Sequence, residues 1–397
     1  MKKRILYIEG NIDGTVGGSY FVLYDLASRL DRTKFEPIVG FHRDNYLIEQ
    51  FRANGIQTFL FSPHLPWLPK SPLFRTLLAP IKKLVNVWRG VLGPAIRYTK
   101  FLREHRIDLV NLNNSITRNH AWMLAARWTG TPCTSHEMGI CTRGEFNFLT
   151  RWLGRRLDRV VCVSHAVHEN MKRCGCDFPN TVVIHNGIDL TRYHRRETPD
   201  ELRRKHGIPP DAQVTGVVGH IRYWKGQEVM VRATALLKME FPRLRCLLVG
   251  DSGESDRSYR AKLEGLTREL GITENVIFTG FQRNAIDYMA LMDVVAHCSV
   301  DPEPFGIVTL EAMSLAKPLV STTIGGPAEV VVQGESGLLV DAGKPELLAN
   351  AIASLLRDPE YAARIGRNGF ARMHEHFGIE KNVAANSNVY DEVLRHS

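Results

Sequence analysis

The chain has 397 residues, and several absences narrow what it can be. No apolar run reaches the length needed to span a bilayer. Met1-Lys2-Lys3-Arg4 leads into only a short apolar run, Ile5 to Ile8, before Glu9, which is too little for a signal-peptide core. Cysteine is sparse: Cys133, Cys141, Cys162, Cys174, Cys176, Cys246 and Cys298 are odd in number and scattered, which fits reduced thiols and a cytosolic compartment. Cys174 and Cys176 are spaced C-x-C rather than C-x-x-C and have no matching second pair, so no zinc site is expected. No Asp-x-Asp pair occurs anywhere. Aromatic residues are not interleaved with lysine and arginine as a nucleic-acid platform requires, so nucleic acid is not an expected partner.

What is present is ordinary for a globular protein, with 44% apolar and 23% charged residues. At about 150 residues per domain, the length predicts two or three domains. The 51 Lys plus Arg against 42 Asp plus Glu leave a net charge of +9. An excess of that size suggests an anionic partner.

The chain reads as two similar halves. The first opens with the strand Ile5 to Ile8, a loop bearing Gly10, Gly14, Gly17 and Gly18, and a helix with Phe21, Val22, Leu26 and Leu30 that Ser19 could cap. Further strands are expected at Pro37–Phe41, Ile56–Leu60, Ile107–Leu112, Thr131–His136, Arg159–Val163 and Val182–Ile184, with a helix around Asn119–Trp128. The pattern restarts at Val214–Val218, with a second glycine-bearing turn at Gly219 and Gly226. Strands are then expected at Cys246–Val249, Val276–Thr279, Val294–His297, Leu319–Thr322 and Leu338–Val340. Continuous apolar strands alternating with helices indicate an α/β fold with parallel sheets covered on both faces. Asp189 to Pro210, with Thr198-Pro199 and Pro209-Pro210, reads as a linker. Residues 1–190 therefore form one domain and 191–378 another, and a last helix within 379–397 could pack back on the first.

One segment departs from the alternation. Lys70 to Arg106 carries nine basic residues and a single acid, Glu104. Ile81, Leu84, Val85 and Trp88 share one helix face, while Lys82, Lys83, Asn86 and Arg89 lie on the other. Such a helix suits an anionic membrane interface, and equally a helix that packs its apolar face inward.

The chemistry-bearing residues concentrate in the second half. Gly219-His220-Ile221-Arg222-Tyr223-Trp224-Lys225-Gly226 follows a strand and enters a helix. Ligands of parallel sheets bind at strand carboxyl ends. There, Arg222 as a fork and Lys225 as a point charge suit a diphosphate. In Asp301-Pro302-Glu303-Pro304-Phe305-Gly306-Ile307-Val308-Thr309-Leu310-Glu311, prolines stiffen the loop and Gly306 admits a ligand to the backbone. A helix beginning there would aim the amides of Ile307 and Val308 at an anion. Glu311, two turns beyond Glu303, could accept from the adjacent hydroxyls of a ribose.

With these residues in place, the chain resembles the retaining glycosyltransferases of family 4, with the GT-B fold of two Rossmann-like domains facing a central cleft. The resemblance rests on Gly17-Gly18, His136, Arg222 with Lys225-Gly226, and Glu303 through Glu311. Val249-Gly250-Asp251, Phe278-Thr279-Gly280-Phe281, Gly325-Gly326-Pro327-Ala328-Glu329 and His185-Asn186-Gly187-Ile188-Asp189 also fit, in family order along nearly the whole chain. It implies that Arg222 and Lys225 hold a donor diphosphate, and that Glu311 binds ribose. Glu303 with the amides of Ile307 and Val308 would hold the transferred sugar, and Gly250 and Phe281 would lie near the base. Gly17 and Gly18 would admit the phosphate, and His136 would contact the sugar. Two positions depart from the family pattern, both on the acceptor side: Tyr20, where relatives carry an acid, and Asn113-Asn114, where they often carry histidine.

The resemblance implies a UDP- or GDP-sugar donor and a glycan or lipid-linked acceptor in envelope or capsular polysaccharide synthesis, at the cytoplasmic membrane face. Two cations plus about half a charge from a helix N-terminus would balance a diphosphate, so no metal or other cofactor is expected. The pairs His165/His168 and His374/His376 lack an acidic or cysteine partner at matching spacing and read as solvated or capping residues. The alternatives are a nucleotide-sugar epimerase or sugar phosphorylase on the same scaffold, and a non-catalytic membrane-attached scaffold protein.

Overall fold

The computed structural model describes residues 2–12, 16–62, 85–142, 144–192 and 195–396. They divide into two compact units, Met1–Gly187 with Ile379–Ser397, and Ile188–Gly378.

The first unit holds seven strands: β1 (Lys3–Glu9), β2 (Phe35–Phe41), β3 (Gln57–Leu60), β4 (Leu109–Asn114), β5 (Cys133–Glu137), β6 (Arg159–Cys162) and β7 (Thr181–Val183). They form one parallel sheet in the order β3-β2-β1-β4-β5-β6-β7. The second unit holds β8 (Val214–Val218), β9 (Arg245–Val249), β10 (Val276–Gly280), β11 (Val294–His297), β12 (Leu319–Thr322) and β13 (Leu338–Val340). Their order is β10-β9-β8-β11-β12-β13, again parallel. Each order reverses direction once, between β1 and β4 and between β8 and β11. Those are the positions where doubly wound sheets open a crevice at the strand carboxyl ends.

The thirteen expected strands all form, four of them with the expected ends: β8, β11, β12 and β13. Their continuous apolar sequences are explained by burial on both faces, as in Ile5 to Ile8, where every residue is fully covered. The helix Ile379–Arg395 joins the first unit's core through Ile379, Val383, Val389, Tyr390 and Val393, against Ile5, Tyr7 and Phe35. Each such side chain contributes about 1.5–3 kcal/mol on full burial, which ties the chain end to the first sheet.

Two expectations of local structure are corrected. Ser19 does not cap the first helix, Gly18–Arg29. Gly17 is the N-cap, with extended backbone and no side-chain bond, and Ser19 sits in the first turn. The segment Asp189 to Pro210 is not a bare linker. It contains the helix Pro199–Lys205, started by a capping box in which Thr198 and Glu201 bond each other reciprocally. Asp287 accepts from the amides of Arg196 and Glu197, so this segment is built into the second unit. The prolines at 199 and 209 drew the linker reading, but proline at a first helical position is a start signal.

Of the basic segment, Lys70 to Leu84 lies outside the described residues. Residues 85–104 are helical, and Trp88 is exposed rather than packed inward. Among the described residues, no helix is long and apolar enough to cross a membrane.

Candidate active site

The second unit's crevice is assembled by loops that bond one another. Gly226 ends the short turn Tyr223–Lys225 in a left-handed conformation and caps the helix Gln227–Lys238. A Cβ there would stand 1.8 Å from the carbonyl oxygen of Cys298, so only glycine lets the β8 loop close on the end of β11. The amide of Val300 donates to the carbonyl of Trp224 at 2.9 Å, joining the same two loops.

This contact delivers Lys225 to Glu303. Lys225 Nζ lies 2.7 Å from Glu303 Oε1, and it also stands 4.5 Å from the centre of the Trp224 ring. His297 Nε2 is 2.9 Å from the same carboxylate oxygen, and the Ser299 hydroxyl donates to it. The Ser321 hydroxyl faces His297 Nδ1 at 3.2 Å, fixing the ring from behind. Burial by itself would raise the Glu303 carboxyl, but His297 and Lys225 hold it well below the ordinary carboxylate range. Glu303 is therefore a buried, ionised anchor.

The sequence placed Glu303 two helical turns before Glu311. The helix Ile307–Ser314 begins only after it, so Glu303 is a loop residue held by side-chain bonds. Gly306 caps that helix with φ +77°. The first turn closes with Thr309 N donating to Gly306 O at 2.9 Å, so the amides of Ile307 and Val308 stand ahead of the helical ladder. Glu311 is half-buried on the same face as Ile307, one turn on. Gly325 and Gly326 lie against the backbone of Glu303, Pro304 and Phe305, where a Cβ on either would come within 2.6 Å, and Gly326 N donates to Glu303 O at 2.9 Å.

Arg222 sits beside this cluster in sequence but pairs elsewhere: its Nε lies 3.4 Å from Asp256 Oδ2, half exposed. On the far side of β8, Gly250 donates to Gly280 O at 3.1 Å, and Ile221 donates to Asp251 O at 3.1 Å. Phe281 follows at 72% exposure, an aromatic face that the unit's own core does not use.

In the first unit, no described residue lies within 4 Å of a Cβ added at Gly17 or Gly18, so no packing among the described residues demands glycine at either position. His136 is buried near the end of β5. Burial lowers its pKa from the usual 6.5 to about 4, so the ring is neutral. Its Nδ1 makes no bond to a described residue. Tyr20 is a core residue stacked on Phe41 at 6.0 Å. Asn113 bonds the buried Glu9.

The geometry thus joins Lys225 to Glu303 and sets both on the loops that carry Arg222, Gly306, Ile307, Val308 and Glu311. His297, Ser299 and Asp256 were not singled out from sequence. His297 ends β11 six residues before Glu303, a weak signal, and only the fold folds the loop back to it.

Residues 199–372 match the family described as glycosyl transferases group 1, and residues 16–192 the family described as Glycosyltransferase Family 4. A D-inositol 3-phosphate glycosyltransferase of Corynebacterium urealyticum is 35% identical over 296 residues, covering 69% of this chain and 69% of that protein. The lipopolysaccharide core biosynthesis mannosyltransferase LpsB of Rhizobium meliloti is 28% identical over 362 residues, covering 88% of this chain and 92% of that one. Among solved structures, Anabaena Alr3699/HepE in complex with UDP superposes with a TM-score of 0.82 at 26% identity, over 99% of this chain and 100% of that one. The same protein in complex with UDP-glucose gives a TM-score of 0.79 at 26% identity, over 98% and 99%.

Proposed function

The chain belongs to the group 1 glycosyl transferases, and from that premise we propose that it moves a hexose from a nucleotide-diphosphate donor to a glycan or lipid-linked hydroxyl, with retention at the anomeric carbon. The observation that carries this reading is the ionised Lys225–Glu303 pair at the β8/β11 crevice, beside the open amides of the Gly306-capped helix. In this reading Arg222 leaves Asp256 to chelate the diphosphate, and Lys225 shares its charge between phosphate and Glu303. Glu303 and the amides of Ile307 and Val308 hold the sugar, Glu311 the ribose, and Gly250 and Phe281 flank the base. Gly17 and Gly18 leave room for phosphate and acceptor, and His136, neutral, contacts the sugar.

The departing phosphate oxygen takes the acceptor proton on the face it leaves, so no protein nucleophile is required. The chain contributes positioning and stabilisation of developing charge. The phosphate charge is met by Arg222, Lys225 and helix amides, with no metal in the proposed step. The helix at residues 85–104 presents Val87, Trp88 and Ile96 among Arg89, Arg97, Lys100 and Arg103, all exposed, and we read it as a contact for an anionic membrane surface in envelope glycan synthesis.

The test is a panel of UDP- and GDP-sugars scored by thermal stabilisation. UDP-glucose heads the panel because HepE is solved with it. A true donor at 100 times its dissociation constant should stabilise by about 2.7 kcal/mol, with or without EDTA. If no nucleotide sugar raises the melting temperature, the reading fails.

A further inference from the structure

The two carboxylate oxygens of Glu303 are used unequally. Oε1 collects Lys225 Nζ at 2.7 Å, His297 Nε2 at 2.9 Å and the Ser299 hydroxyl. Oε2 takes no hydrogen bond from a described residue, and it is not among the polar atoms sealed from solvent without a partner. We propose that His297, backed by Ser321, is a positioning residue that holds Oε1 inward and leaves Oε2 as the acceptor for one hydroxyl of the transferred sugar, so that the donor must carry that hydroxyl unsubstituted. This rests on the reading of Glu303 as a residue that holds the sugar; the bonds that fix Oε1 do not.

The sheet builds the arrangement. Parallel pairing of β11 with β12 sets His297 beside Ser321. Paired residues of neighbouring strands share a face, and the Ser321 hydroxyl accordingly meets His297 Nδ1 at 3.2 Å. Ser299 lies two residues beyond His297, and its hydroxyl stands 3.4 Å from Nε2. Glu303, His297, Ser299 and Ser321 are all buried. The Glu303 backbone is fixed as well, because Gly326 N donates to its carbonyl and Gly325 packs against it.

Proton bookkeeping assigns the roles. A carboxylate has no proton to give, so the ring nitrogen that meets it must carry one. Nε2 therefore donates to Oε1, and in the neutral ring Nδ1 accepts from Ser321, which fixes the tautomer. Lys225 alone would not hold the carboxylate. In the proposed function it shares its charge with the diphosphate, and its ammonium is a point charge on a flexible stem. The imidazole is tied to both β11 and β12, so Oε1 stays in place when Lys225 turns toward phosphate. Three donors fill the lone pairs of Oε1, which leaves a sugar hydroxyl only Oε2. A sugar lacking that hydroxyl strands a largely buried charged acceptor, which is how such a site rejects it.

The test has two arms. The first needs no ligand. The nitrogen NMR spectrum of His297 in the full wild-type chain at pH 8 should show Nε2 protonated, and Ser321→Ala should shift the Nδ1 resonance. An Nε2 without a proton would overturn the proposal. The second arm is calorimetric titration with UDP-glucose, or with GDP-mannose if the thermal panel selects it, alongside the nucleoside diphosphate alone and each monodeoxy analogue of the sugar. In the wild type at least one monodeoxy analogue should bind roughly 10- to 150-fold more weakly than the parent, the loss of a hydrogen bond to a charged group. In His297→Leu that penalty should shrink by about fivefold or more, the coupling expected within one network. His297→Gln keeps an N–H able to reach Oε1 and should restore it. Equal binding of every monodeoxy analogue to the wild type would overturn the proposal, since Oε2 would then face no hydroxyl. If His297→Leu weakens the nucleoside diphosphate as much as the nucleotide sugar, the ring merely supports the fold and the proposal fails. If no nucleotide binds at all, the donor reading falls and takes the sugar's place at Oε2 with it, while the nitrogen spectrum still decides whether His297 holds Oε1.

Discussion

Glu303 is a buried carboxylate to which the proposed function gives the transferred sugar. Its Oε1 collects Lys225, His297 and Ser299, so in the proposed reading the carboxylate meets a sugar hydroxyl already oriented. Glu311 differs in being half-buried on a helix face, so it can be removed with little cost to the fold. Glu311→Ala is expected to weaken nucleotide binding roughly 10- to 150-fold, the equivalent of about 1.5–3 kcal/mol for hydrogen bonds to a charged group. Calorimetric titration with UDP reads this directly, and an unchanged dissociation constant would reject the ribose role. His136 gives a pH prediction. Its folded pKa of about 4 lies below the unfolded value of 6.5, so below pH 6.5 the unfolded chain gains a proton that the folded chain refuses. Stability from this group is complete above pH 6.5 and is lost as pH falls toward 4. Relative to His136→Asn, the wild type should lose roughly 2 kcal/mol between pH 7 and pH 5 in urea unfolding. Glu9 and Glu137 act in the opposite sense, since their raised values favour the folded chain as pH falls from 7 toward 4.5, which is why the comparison is made between variants.

At the scale of elements, the site is a set of loop contacts that only small residues permit. Gly226 and Gly271 both have left-handed backbone, φ +71° and +64°, but only Gly226 would collide with a neighbour. Gly226→Ala should therefore cost roughly 2–5 kcal/mol, combining backbone strain and overpacking, against about 1–2 kcal/mol for Gly271→Ala. Equal losses in denaturant unfolding would mean that the β8 loop is free to move off β11. The strands were legible because burial on both faces forces unbroken apolar runs. The closing helix was legible as a last helical stretch following the second half. The helix Pro199–Lys205 was missed because it buries only Leu202, so its signal lay in the Thr198–Glu201 capping box rather than in an apolar stripe.

At the scale of the whole chain, a net charge of +9 and the exposed Trp88 with its basic neighbours make association with anionic lipid measurable. The protein should sediment with phosphatidylglycerol vesicles more than with phosphatidylcholine vesicles, and less at high salt. Replacing Arg97 and Arg103 by alanine should weaken partitioning roughly 30-fold, at about 1 kcal/mol per basic residue. Equal recovery from both vesicle types would remove the membrane contact. Sequence by itself determined the strand order of appearance, the two repeats of strand, glycine turn and helix, and the residue types gathered at the carboxyl ends of the strands, because hydrophobic periodicity and glycine spacing are local properties. The partners of those residues were decided by tertiary structure. Lys225 and Glu303 are 78 positions apart, and Glu9 and Asn113 are 104 apart. Only parallel pairing of β8 with β11 and of β1 with β4 brings such groups within bonding distance, where burial raises the Glu9 carboxyl and the charges of His297 and Lys225 lower that of Glu303 against burial.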